Sequence, residues 1–176
     1  MKQNLLVTSY DYDISKRLAK KLAEVFSMRM LDEIELFEFD HLPFSFLDVV
    51  HKNGILYAQK EMVSIMKNEI DFDDVVFASN IGFAETCVDI FYKIKLSNFV
   101  VLLEKNLARE IQELEAKSFG SELEKKYFFG GEKVLCQRKK VIKSEVADIV
   151  VQIEDKTDEE IIDEIVDKIK NYYSVN

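Results

Sequence analysis

Short, almost uninterrupted apolar runs alternate along this chain with stretches of helical period. Leu5-Leu6-Val7, Val75-Val76-Phe77-Ala78, Phe99-Val100-Val101-Leu102-Leu103 and Ile149-Val150-Val151-Gln152-Ile153 read as strands. Runs with so little polar interruption suit parallel strands covered on both faces. Arg29-Met30-Leu31 is a fifth, weaker strand. Between the runs, Ile14, Leu18, Leu22 and Val25/Phe26 recur at helical spacing behind Asp13, which reads as the N-cap. Tyr57, Met62, Ile65 and Met66 predict a second helix, and Val88, Phe91 and Ile94 a third. Ile161, Ile162, Ile165, Val166 and Ile169 predict a last one. Its acidic start, Asp158-Glu159-Glu160, complements the helix dipole. Strand and helix in alternation predict a three-layer α/β/α domain around a five-stranded parallel sheet. From Ser118 to Cys136 the rhythm fails, and three of the five glycines fall there. Residues 117–136 are therefore a candidate lid or binding loop, with a plain surface loop as the equal alternative.

At 176 residues the chain fits one domain, and no composition shift or repeat divides it. Its 24 basic and 33 acidic residues leave a net charge of −9. Such a surface repels phosphate backbones and anionic lipid, so neither nucleic acid nor membrane is expected as the main partner. The first apolar run is too short for a signal peptide or a membrane span. Cys87 and Cys136 are far apart and have no histidines at metal spacing. Reduced thiols in the cytoplasm are the simpler expectation.

In an open parallel sheet, ligands bind beyond the carboxyl ends of the strands. The turn after Val7 is thus the natural phosphate site, where a P-loop would supply GxxxxGK[ST]. The chain reads Thr8-Ser9-Tyr10-Asp11-Tyr12-Asp13-Ile14-Ser15-Lys16, with no glycine. Two aspartates stand where phosphate oxygens would lie, and Lys16 follows a helical turn late for a loop lysine.

Several segments resemble the shikimate kinases, within the nucleoside monophosphate kinase-like group of P-loop proteins. Glu145-Val146-Ala147-Asp148-Ile149-Val150-Val151, with the helix opening at Asp158, is similar to the family's last strand and helix. Arg17-Leu18-Ala19-Lys20-Lys21-Leu22-Ala23 is similar to the helix after its P-loop. Ser45-Phe46-Leu47-Asp48-Val49-Val50, leading to Gly54 and Glu61, follows its substrate-binding part. The resemblance implies a P-loop kinase fold with a helical substrate-binding subregion over 33–70. It also shows what is missing. The first loop is about three residues shorter than the family's and lacks its glycines and Lys-Ser/Thr pair. Of the family's D-x-D pair, which serves magnesium and shikimate, Asp32 matches the first acid and Ile34 replaces the second. The substrate arginine expected before Glu61 falls at Ala58 or Gln59. The triple glycine after the third strand falls at Asn80-Ile81-Gly82, and the lid arginine with its proline is not visible. A further arginine falls at Lys139, beside Arg138, which keeps the charge but not the guanidinium fork.

The reading is a kinase scaffold without phosphotransferase activity that binds, regulates or supports a partner. The alternative is an ATP- and Mg²⁺-dependent small-molecule kinase with Lys16, Arg17 and Arg138 around the nucleotide. The candidate ligand-binding residues are Asp32, Lys16, Arg17, Gly82, Arg138 and Lys139. Asp32 is the weak metal candidate, set against the plainer role of a helix cap. Arg138, Lys139, Lys140 and Lys143 form a basic cluster that reads as a solvated helix face or an anion site. Phe37, Phe39, Phe44 and Phe46, with His41 and His51 in or near them, are either a small core or an interaction surface. An unknown protein partner or a second copy could use that surface.

Overall fold

The computed structural model describes residues 4–69, 72–80, 93, 95–118, 120–122, 125–126 and 130–175. Five strands, β1 (Asn4–Ser9), β2 (Arg29–Asp32), β3 (Val75–Asn80), β4 (Asn98–Glu104) and β5 (Ile149–Gln152), form one sheet in the order β2-β3-β1-β4-β5. Every pairing is parallel. All residues of β1 and β4 are buried, as their apolar runs require. Side chains alternate between two cores. Leu5, Val7, Val76, Phe99, Val101 and Leu103 face one side, while Leu6, Phe77, Val100 and Leu102 face the other.

The first side is covered by α1 (Tyr12–Phe26) and α7 (Asp158–Val175). Leu18 and Leu22 of α1 pack with Ile161, Ile165 and Ile169 of α7. The other side is covered by α2 (Glu33–Asp40), α3 (Phe46–Asn53), α4 (Ile55–Glu69), α5 (Leu107–Ala116) and α6 (Glu132–Val141). The last continues as a π-helical turn over Ile142–Val146. Phe37, Phe46, Val49, Val50, Met62, Leu114, Leu135 and Ile142 form the core there. Within residues 33–69 lie α2, α3 and α4, with a turn over 41–45 between the first two.

The expected strands are all present, and so is the parallel sheet. The helix expected around Val88, Phe91 and Ile94 lies outside the described residues. Two expectations need correction. Asp11, not Asp13, caps α1: it is extended (φ −97°, ψ 104°), and its side chain accepts from the Asp13 N–H, so the helix already runs at Tyr12. The stretch 117–136 is not irregular to its end, because Glu132 opens α6.

Two polar side chains, buried Asn4 and half-buried Asp148, fix neighbouring strands to one another. Asn4 donates to the Phe72 carbonyl (2.5 Å) and accepts from the Val75 N–H (3.1 Å), which sets the entry of β3. The Asp148 carboxylate accepts from the Val100 N–H (2.8 Å), and its own N–H donates to the Val100 carbonyl (2.9 Å). Asp148 thereby aligns β5 on β4.

Candidate functional site

The carboxyl ends of the strands bring together the turn after β1, Asp32 from β2, Glu104 from β4 and Gln152 from β5. Ligands of open parallel sheets bind along this edge.

The turn after β1 is closed by its own groups. The Ser9 hydroxyl donates to the Asp11 carbonyl (2.5 Å), which also accepts from Ile14 (3.1 Å) and Ser15 (3.3 Å). Among the described residues, positive φ occurs at Ser27, Gly54, Asp74, Gly130, Gly131 and Asp155. None lies in this turn, whereas a phosphate-wrapping loop needs such conformations to turn successive N–H groups inward. Lys117, just past α5, places Nζ 3.4 Å from Asp11 Oδ1 and 3.2 Å from Asp13 Oδ2. Burial works against its charge, but the two aspartates outweigh burial and hold the ammonium above the ordinary lysine value.

Asp32 is 2% exposed and fully engaged. Its Oδ1 accepts from the N–H groups of Ile34 (2.9 Å) and Glu35 (3.1 Å), the N-cap pattern of α2, and from the Tyr12 hydroxyl at short range. Its Oδ2 lies 2.8 Å from Lys16 Nζ, which also donates to Glu35 (2.7 Å). Burial, then the hydrogen bond to Asp32, push the Tyr12 phenol far above its usual value. Hydrogen bonds to Asp32 and Glu35 raise Lys16. A metal ion at Asp32 would have to displace both the lysine and the helix cap. Among the described residues, no group of three or more His, Cys, Asp or Glu could hold a metal.

Arg17 turns to the other flank of α1. Its Nε and Nη2 donate to Asp158 at 3.0 and 3.2 Å, and Lys21 reaches Asp158 (3.1 Å) and Glu159 (2.9 Å). The two segments that most resemble the kinase family are therefore bound to each other, α1 to α7. A cleft of about 520 Å³, lined by Asp13, Lys16, Arg17, Lys20, Met30 and Glu35, runs beside α1. Its Lys16 and Arg17 are already paired within the protein.

Lys139 is not part of a solvated face, which corrects that reading of the basic cluster. Its side chain is 11% exposed and passes between two carboxylates. Nζ donates to Glu110 Oε2 (3.1 Å) and to the Lys105 carbonyl (2.7 Å). It also lies 3.7 Å from Glu104 Oε1 and 5.2 Å from the centre of the Tyr10 ring. Glu104 Oε2 accepts from Lys143 (2.9 Å) and Gln152 (2.6 Å). Burial raises Glu110 to about 7, against the pull of Lys139. Burial also opposes the charge of Glu104, but Lys143, Gln152 and Lys139 prevail and hold it below the usual glutamate value.

The remaining candidates separate. Ala58, where a substrate arginine would fall, is fully buried, and Gln59 is half-buried. Gly82 and the Arg138 side chain lie outside the described residues. His41 stacks on Phe37 with ring centroids 4.2 Å apart, and His51 meets the Ser121 hydroxyl at 3.3 Å. The Cys136 thiol is free, and Cys87 lies outside the described residues.

Sequence reasoning missed Lys117, Tyr12, Glu104 and Glu110. Glu110 did leave a signal: with Leu107, Ile111 and Leu114 it shares one helical face behind Asn106, the cap of α5. A charge on an apolar stripe points to a buried partner.

No known family profile matches the chain, and no curated protein is similar to it. Solved structures are similar. The shikimate kinase of Aquifex aeolicus VF5 superposes with a TM-score of 0.76 at 17% identity, covering 98% of this chain and 99% of that one. The shikimate kinase of Acinetobacter baumannii, in complex with shikimate, gives 0.74 at 16% identity, over 96% and 93%. A gluconokinase from Sinorhizobium meliloti 1021 gives 0.57 at 10% identity, over 99% and 98%. The chain has the P-loop kinase fold. Within it, the form is shikimate kinase-like. Among the described residues, no helix is long and apolar enough to cross a membrane.

Proposed function

We propose that this chain is a shikimate kinase-like protein without phosphotransferase activity, acting by binding as a regulatory or scaffold protein. The observation that carries this reading is the turn after β1. Asp11 spends its carboxylate on the helix cap, and Lys117 bridges Asp11 and Asp13. A triphosphate arriving there would meet two carboxylates and would have to expel an ammonium already paired with them. Like charges at that range cost on the order of several kcal/mol once water leaves. Phosphoryl transfer rests on positioning and electrostatic stabilisation, so a turn without an anion cradle removes most of the catalyst. Neither this turn nor the engaged Asp32 suits a magnesium–nucleotide.

Calorimetric and thermal-shift titrations with ATP–Mg²⁺ and with ADP test the proposal. The expected result is no saturable binding below millimolar concentration and no ADP release when shikimate is added. Saturable sub-millimolar binding would overturn it in favour of a small-molecule kinase with an unconventional phosphate loop.

A further inference from the structure

A single residue joins α3 to α4. The first helix ends at Asn53, Gly54 follows, and the second begins at Ile55. Gly54 takes φ +87° and ψ 160°, a conformation that favours glycine, so the chain passes directly from one helix into the next. Its N–H donates to the Val50 carbonyl (2.9 Å), closing α3, and its carbonyl accepts from the Ala58 N–H (3.3 Å), opening α4. At its start, α3 is held by the reciprocal cap of Ser45 and Asp48 and by buried Phe46, Val49 and Val50. At its end, His51 meets Ser121 and Lys52 lies over the Phe44 ring. Asn53 is exposed, and its amide has no hydrogen-bond partner among the described residues.

Asn53-Gly54 is the one Asn-Gly pair in the sequence. Other asparagines are engaged. Asn4 bonds Phe72 and Val75, Asn98 donates to Ser97, and Asn106 caps α5. Each of these three is followed by Leu or Phe, whose side chain shields the next backbone nitrogen. At Gly54 nothing lies within 4 Å of where a Cβ would stand, so its nitrogen is open to reaction.

We infer that Asn53 is a site of spontaneous deamidation, and that the α3–α4 joint changes with the age of the protein. The Gly54 backbone nitrogen attacks Asn53 Cγ. A new N–Cγ bond closes a five-membered succinimide, and the side-chain nitrogen leaves as ammonia with the proton that Gly54 gave up. Water, the one co-reactant, then opens the ring. Attack at Cγ gives aspartate in the ordinary chain, and attack at the Asn53 carbonyl carbon gives isoaspartate, with Cβ and Cγ in the main chain. While the last turn of α3 is intact, Val50 holds the Gly54 N–H, so the reaction runs through the frayed helix end. Both products disturb the joint. Aspartate places a negative charge at a helix C-terminus, where the dipole opposes it. Isoaspartate lengthens a one-residue connection and cannot keep the bonds to both Val50 and Ala58, which lie in one core with Met62.

This chemistry needs neither a nucleotide nor a partner, and so does not depend on the proposed function. The test is incubation of the full chain at body temperature and mildly alkaline pH, followed by peptide mapping that separates aspartate from isoaspartate. Asn53 should convert at least about tenfold faster than Asn98 or Asn106, since only its neighbouring nitrogen is placed and open for intramolecular attack. Conversion should be slower in the native protein than in urea, because the last turn must open first. Asn53→Gln, which could close only a six-membered ring, should lower modification at this position at least about tenfold with unchanged circular dichroism. The isoaspartyl form, separated by ion exchange, should unfold at lower urea concentration than fresh protein. A native chain whose Asn53 stays intact while the unfolded chain converts overturns the inference. So does conversion of Asn98 or Asn106 at the same rate. An isoaspartyl form with the urea midpoint of fresh protein overturns the effect on the joint.

Discussion

Glu110 is a carboxylate on the inward face of α5, with Lys139 as its main partner. Burial sets its midpoint near 7, above its ordinary 4.5. A carboxyl whose folded pKa is raised stabilises the fold fully below its unfolded pKa. That contribution fades as pH rises and is gone above the folded pKa. The stability difference between wild type and Glu110→Gln should therefore move against wild type between pH 4.5 and 7, by up to about 3 kcal/mol. Urea denaturation of both proteins across that range measures it, and parallel curves would contradict the assignment. Lys139→Met should push the same transition to higher pH, because it removes the cation that restrains the shift. Spacing marks Glu110 as a charge on an apolar stripe but does not name its partner. Glu110 and Lys139 are 29 residues apart and meet only when α6 folds over α5. Lys117 reaches Asp13 across 104 residues. A local pattern carries no trace of pairs like these.

Among the elements, the strands and the two helices of the α1–α7 layer were legible because their apolar residues keep one period throughout. α2 was not. Its eight residues alternate Phe and Leu with acids, and it buries Glu33 and Phe37 while exposing Phe39. Its start is set by the Asp32 cap and its length by the turn at His41. The segments that resemble the kinases hold elements together in two ways of different strength. Asp158 ties α7 to α1 through ion pairs with partly exposed partners. Asp158→Asn should therefore cost less than about 1 kcal/mol, and less still in high salt. Asp148 instead satisfies a backbone N–H of fully buried Val100. Asp148→Ala strands that donor and should cost about 1–3 kcal/mol with little dependence on salt. Chemical denaturation at low and high salt separates the two. Similar losses at both positions would refute the distinction.

Across the whole molecule, one sheet carries two unequal coats. Two helices, α1 and α7, pack on one side, and the helices α2 to α6 pack on the other. The fold follows from the buried sheet and from the amphipathic α1 and α7. The edge where the strands end is filled instead by ion pairs made between remote segments. A protein can keep the outline of its structural neighbours while its site differs, since fold and site are separable.

The pairing of Glu110 and Lys139 also bears on how this chain can change over generations. Replacing Lys139 alone leaves Glu110 without its main cation, so at neutral pH the carboxyl takes up a proton. Replacing Glu110 alone leaves Lys139 with Glu104 at 3.7 Å. Replacing both together, as in Glu110→Leu with Lys139→Met, removes two charges at once and should leave the protein close to its starting stability. Each single step disturbs this network more than the joint one, so the two positions are coupled. Descendants of this sequence should vary at 110 and 139 jointly more often than singly.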